Sequence, residues 1–172
     1  MDKRNKLELV TTRMRGGMLA RVHVSPTASD ATRFVFLDGV LQLLVAVNRA
    51  WLREQLAAGR TPPLSVRLAE PPWCAAPIRY VRHHGEPLAR DRDYQDAPTM
   101  LHAGEGTCID IAAYDAAALI EIAKLPARAL LVGAWPKLHS VIAVRRADGS
   151  EAQIDPTHQW EGSTSDGTEQ RS

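Results

Sequence analysis

The chain has 172 residues, 45% of them hydrophobic and 24% charged, which suits one soluble domain with a sizeable buried core. Its 21 Lys and Arg nearly balance 20 Asp and Glu, giving a formal net charge of +1, so no global field draws it toward nucleic acid or an anionic membrane, and neither is expected as a partner. Two cysteines, Cys74 and Cys108, are too few for a disulfide framework and have no Cys or His neighbours at zinc-ligand spacing; no metal and no other cofactor is expected.

The opening "MDKRNKLELVTTRMRGG" lacks the apolar segment of a secretion signal, and the longest apolar run, "LQLLVAV", is too short to cross a bilayer. The expected location is the cytoplasm, or a particle assembled there.

Next come two weakly alternating segments, "MLARVHV" and "TRFVFL", which read as strands. Asp38 then caps a helix, "GVLQLLVAVNRAWLREQLAA", with Val40, Leu44, Val47 and Trp51 on one stripe and Leu41, Val45, Leu52 and Leu56 on another. Gly59, Pro62 and Pro63 stop it. From Pro62 to about Thr99 prolines recur and periodicity fails, apart from a strand candidate at "IRYVR". A connection this long is expected to wall a cleft. His83 and His84 lie in it without ligand-spaced partners and are expected in solvent, as is "ARDRD", whose charges compensate one another.

Beyond residue 105 the order is helix 107–124, a break at Leu125-Pro126, and strands at "ARALLVG", "HSVIAVRR" and "AQIDPT". This predicts an α+β fold in which an antiparallel sheet packs on a central helix carrying Cys108 at its N-terminus. Residues 1–160 read as one domain, and 161–172, "EGSTSDGTEQRS", as a disordered tail with little to bury.

A cysteine at a helix start meets unpaired N–H groups and the positive end of the dipole, which lower a thiol pKa. Gly104 and Gly106 upstream let the chain turn sharply, and Ala112, Ala113, Ala116, Ala117 and Ile120 give a face for close packing on a sheet. A small buried residue at a helix start fits the same pattern. A nucleophilic cysteine also needs a base and a group to orient that base. His139 opens one predicted strand and Asp155 closes the next.

The turn between those strands decides whether the two meet. A two-residue "DG" turn would mix apolar and charged residues on both faces. A three-residue loop, Ala147-Asp148-Gly149, with Gly149 left-handed as a bulge, sets Ile142 opposite Ile154 and Val144 opposite Ala152, which makes one face cleanly apolar. The other face then carries His139, Val141, Gln153 and Asp155, with Asp155 diagonal to His139.

The order Cys, His, Asp, with "GEGTCIDIAAYDAAALIEIAKLPARALLVG" feeding "LHSVIAV" and "IDPT", resembles the transglutaminase-like superfamily of papain-type cysteine enzymes. His139 follows Cys108 by 31 residues and Asp155 follows His139 by 16, spacings that suit compact members. The segment "RYVRHHGEPLARDRDYQDAPTMLHAGEGTC" resembles especially the small transglutaminase-like proteins encoded among structural genes of tailed bacteriophages. The match spans residues 77–158; residues 1–70 have no counterpart in it. The chain has Thr107 where many members carry an acidic residue, and Val141 where many carry an aromatic.

The resemblance implies that Cys108 is the nucleophile, His139 the general base and acid, and Asp155 the group that orients His139. The N–H of Cys108 would supply part of an oxyanion hole, with Trp73 or Tyr80 as candidates for the second donor. Asp110 and Asp115 lie near the helix start, and Asp110 reads as structural. The implied function is acyl transfer on a peptide or protein amide. The alternative is a non-catalytic phage head, tail or assembly protein that retains the fold, with other phage structural proteins as partners. An adaptor built on the apolar helix has no support in the residues.

Overall fold

A computed structural model describes residues 7–14, 17–25, 27–60, 62, 78–81, 92–134 and 137–157. Its elements are β1 (Glu8–Met14), β2 (Gly17–His23), α1 (Asp30–Ala57), β3 (Arg79–Tyr80), β4 (Arg92–Gln95), α2 (Ala97–Ala103), β5 (Glu105–Gly106), α3 (Cys108–Glu121), β6 (Ala127–Ala134), β7 (Lys137–Arg145) and β8 (Glu151–Ile154). The fold is α+β. Trp73, Cys74, His83, His84, most of the stretch expected to wall a cleft and the expected tail at 161–172 lie outside the described residues.

The helix α3 forms the centre. Alanines at 112, 113, 116, 117 and 118 let neighbours approach on every side, and nearly the whole helix is buried. One side, with Ile109, Ala112, Ala113, Ala116 and Leu119, joins α1, β2 and β6–β7 in a core that includes Leu41, Leu44, Val22, Ala129 and Ile142. The other side, with Ile111, Tyr114, Ala117 and Ala118, packs on Leu52, Ile78, Ala97 and Met100.

The first correction concerns α1. It starts at Asp30, where the Ser29 hydroxyl accepts the Thr32 N–H at 3.1 Å, so "TRFVFL" is helix and Asp38 lies inside it. The β-branched and aromatic residues of that segment mimic a strand, but Leu37 continues the buried row Val40, Leu41, Leu44, Val45, Asn48 and Leu52, and Val35 faces solvent. This row is one broad face rather than two stripes, because the positions recur every three or four residues. Gly59 ends the helix at φ +71, with its N–H on Leu56 and that of Arg60 on Gln55, a Schellman closure. By length and composition alone α1 is also long and apolar enough to cross a membrane, contrary to the expectation from "LQLLVAV"; its buried row faces α3 and β6.

The second correction is a further sheet. Beside the expected β2, strands β1 and β4 complete an antiparallel order β1-β2-β4, with Ala20 opposite both Thr11 and Tyr94. Within the stretch expected to be irregular lie β4 and the start of α2 as well as β3, and β3 pairs in parallel with β5. The third sheet, β6-β7-β8, is the antiparallel one expected from the C-terminal half, and its core face lies on α3 and α1.

Candidate active site

Cys108 is the first residue of α3, and a chain of caps puts it there. Asp96 caps α2 by accepting the Thr99 N–H at 3.1 Å, and Gly104 ends α2 at φ +70. A side chain on Gly106 would run into Met100, so glycine there permits close packing. Thr107 and Asp110 then form a capping box: the Thr107 hydroxyl accepts the Asp110 N–H, and Asp110 Oδ2 accepts the Thr107 N–H at 2.8 Å. Asp110 Oδ1 also accepts the Gln95 N–H at 2.8 Å, tying the end of β4 to the start of α3. Its carboxyl is fully buried, and burial pushes its pKa up to about 6 despite these donors. Asp110 is thus structural, as expected.

The thiol itself departs from the expected low pKa. Cys108 is half-buried at the edge of the core, and its pKa is raised: burial outweighs the main chain of Ser140, the charge of Asp110 adds to the rise, and the Ser140 hydroxyl and Ile109 main chain oppose it. A helix start whose first turn holds a buried carboxylate is less electropositive than the dipole alone suggests.

On β7, the following loop places Gly149 at φ +83, and the register is Ile142 opposite Ile154 and Val144 opposite Ala152, as the apolar alternation requires. His139 and Asp155 consequently share a face, and Nε2 of His139 lies 2.7 Å from Oδ2 of Asp155. The other oxygen, Oδ1, accepts the N–H of Thr157 at 2.9 Å and its hydroxyl at 2.7 Å. Burial pulls the Asp155 pKa upward, but Thr157 and His139 together hold it below the usual carboxylate range. An ionised Asp155 makes Nε2 the protonated nitrogen and leaves Nδ1 with its lone pair.

Consecutive residues of β7 serve the two halves from opposite faces, His139 beside Asp155 and Ser140 on the core face. The Cys108 sulfur faces Ser140, the residue after His139 on β7. No hydrogen bond joins the sulfur to His139 among the described residues. The half-buried Tyr80 packs against the cluster of Ile111, Tyr114 and Met100, whereas Cys108 packs against the other cluster, and Trp73 lies outside the described residues. Two residues of the site were missed in the sequence: Thr157, which the Asp-Pro-Thr turn signalled, and Ser140, a polar residue two before Ile142 and hence on the core face. Its hydroxyl is fully buried and without a full hydrogen-bond partner.

Compared with family models, curated proteins and solved structures, the chain matches none.

Proposed function

We propose that the protein is a cysteine-dependent acyl-transfer enzyme of transglutaminase-like type, a peptidase, amidase or transamidating hydrolase acting on a peptide or protein amide. The observation that carries this reading is the 2.7 Å contact between His139 and Asp155 on a strand packed against the helix that Cys108 begins. Register, turn and clamp all serve that contact, and it leaves Nδ1 as the imidazole nitrogen that a thiol would have to reach.

In this reading Nδ1 of His139 takes the thiol proton as the sulfur attacks the carbonyl carbon, and Asp155 steadies the imidazolium through Nε2. The N–H of Cys108 is one donor to the resulting oxyanion. His139 then returns its proton to the leaving amine, and water or a second amine releases the acyl group. The low thiol pKa of a resting ion pair is not required, because the proton moves during attack. Incubation with an activated ester tests the reading: a burst of leaving group and an acyl adduct mapped to Cys108 are expected, both lost in Cys108→Ala. Steady, burst-free hydrolysis that survives Cys108→Ala would defeat it.

A second reading, a non-catalytic virion or assembly component that retained the scaffold, is favoured by one observation: burial raises the Cys108 thiol, and among the described residues no hydrogen bond from His139 reaches it. Under that reading the adduct never forms while the fold is intact.

A further inference from the structure

We infer that Ser140 is a positioning residue whose buried hydroxyl turns to hold the Cys108 sulfur when that sulfur becomes an anion. The inference rests on the proposed role of Cys108 as nucleophile and adds a residue to it.

Ser140 is fully buried on β7, yet its Oγ has no full hydrogen-bond partner. A buried hydroxyl left this way is costly, and alanine would fill the same space without that cost. Its neighbours on the core face explain why no oxygen or nitrogen meets it: Leu131 lies opposite it on β6 and Ile142 two residues along β7, both apolar. Cys108 begins the helix on which β7 packs, and its sulfur is the group on which the Ser140 main chain and hydroxyl act. A thiol is a weak partner for a hydroxyl and a thiolate a strong one. The position therefore gains its full hydrogen bond only in the ionised state, which is the state the reaction passes through. On ionisation the S–H bond breaks, the proton goes to Nδ1 of His139, and Ser140 keeps its own proton while its O–H rotates toward the sulfur.

Of the charged groups on the elements packed here, Asp110 on α3 acts on the sulfur; Asp115 lies two turns further along α3, His139 and Asp155 pair with each other across the β7–β8 hairpin, and on α1 Arg49 and Arg53 are engaged by Glu121 at the far end of α3. Ionised carboxylates cannot donate, and His139 carries the proton that the sulfur has given up. Among the described residues, the Ser140 hydroxyl is the neutral side-chain donor that acts on the sulfur.

The test is the pH profile of Cys108 alkylation by iodoacetamide, resolved by mass spectrometry with Cys74 as reference, in the wild type, Ser140→Ala and His139→Ala, alongside thermal melts. Ser140→Ala is expected to move the Cys108 midpoint up by about one pH unit, a tenfold loss of thiolate at a given pH, with a melting temperature equal to or above that of the wild type. A purely structural serine would change the melt and leave the midpoint in place, and an unchanged or lower midpoint in a folded Ser140→Ala overturns the inference. If Ser140→Ala leaves the profile in place while His139→Ala slows Cys108, only Ser140 is misassigned. Indifference to both substitutions removes the nucleophile itself.

Discussion

Nε2 of His139 and Oδ2 of Asp155 meet at 2.7 Å across a hairpin whose three-residue loop brings the two side chains onto one face. The carboxylate is held on its other oxygen by the amide and hydroxyl of Thr157, so its direction is fixed before any substrate arrives. Replacing it with an amide of the same shape, Asp155→Asn, lets the imidazole take the wrong tautomer. Activated-ester turnover is expected to fall by about 10²–10⁴-fold with the fold intact, measured by steady-state rates and circular dichroism. Thr157→Ala should give a smaller loss of the same kind.

Gly149 is left-handed at φ +83 with open space around it, so Gly149→Ala meets no neighbour and costs only conformational energy, about 1–2 kcal/mol. Urea unfolding should show that loss. Gly17→Ala should cost more than Gly149→Ala, because a Cβ there runs into Thr99 and Asp96, whose carboxylate caps α2 and accepts the Met18 N–H at 2.7 Å.

Asp110 gives the fold a pH dependence of definite sign. Its folded pKa of about 6 lies above the ordinary value, so its contribution is fully present below the unfolded pKa of about 3.9 and is lost as pH rises through 6. The loss is roughly 3 kcal/mol. Asp155 and Glu121, both lowered, lose stability at the acid end instead, as pH falls below the carboxylate range. Urea midpoints from pH 4 to 7 should therefore fall more steeply in the wild type than in Asp110→Asn, which keeps one acceptor for Gln95 or Thr107 and has no proton to lose.

Most of the C-terminal half is legible in the sequence, because each local signal there agrees with the others. Thr107 and Asp110 mark a helix start, the alanines mark a crowded face, and apolar alternation around "ADGS" admits a single register. The N-terminal half is harder. In "TRFVFL" strand-like residues sit inside a helix whose cap, Ser29, lies upstream of them, while Asp38 beside Gly39 imitates a fresh helix start in the middle of α1. Helix α2 is obscured although Asp96, Pro98 and Gly104 spell its cap, first turn and stop, because the prolines before it suggest continued irregularity. The thiol pKa is hidden for a different reason: the dipole of a helix start is visible in a sequence, and the desolvation of one sulfur is not.

The central claim, that the Cys108 thiol and the His139 imidazole work as a pair, is tested most directly by the rate of Cys108 alkylation at pH 7 in wild type and His139→Ala. With Cys74 as internal reference, a reaction of Cys108 slower by about tenfold or more in the folded variant is expected. Equal rates in the two proteins would contradict it.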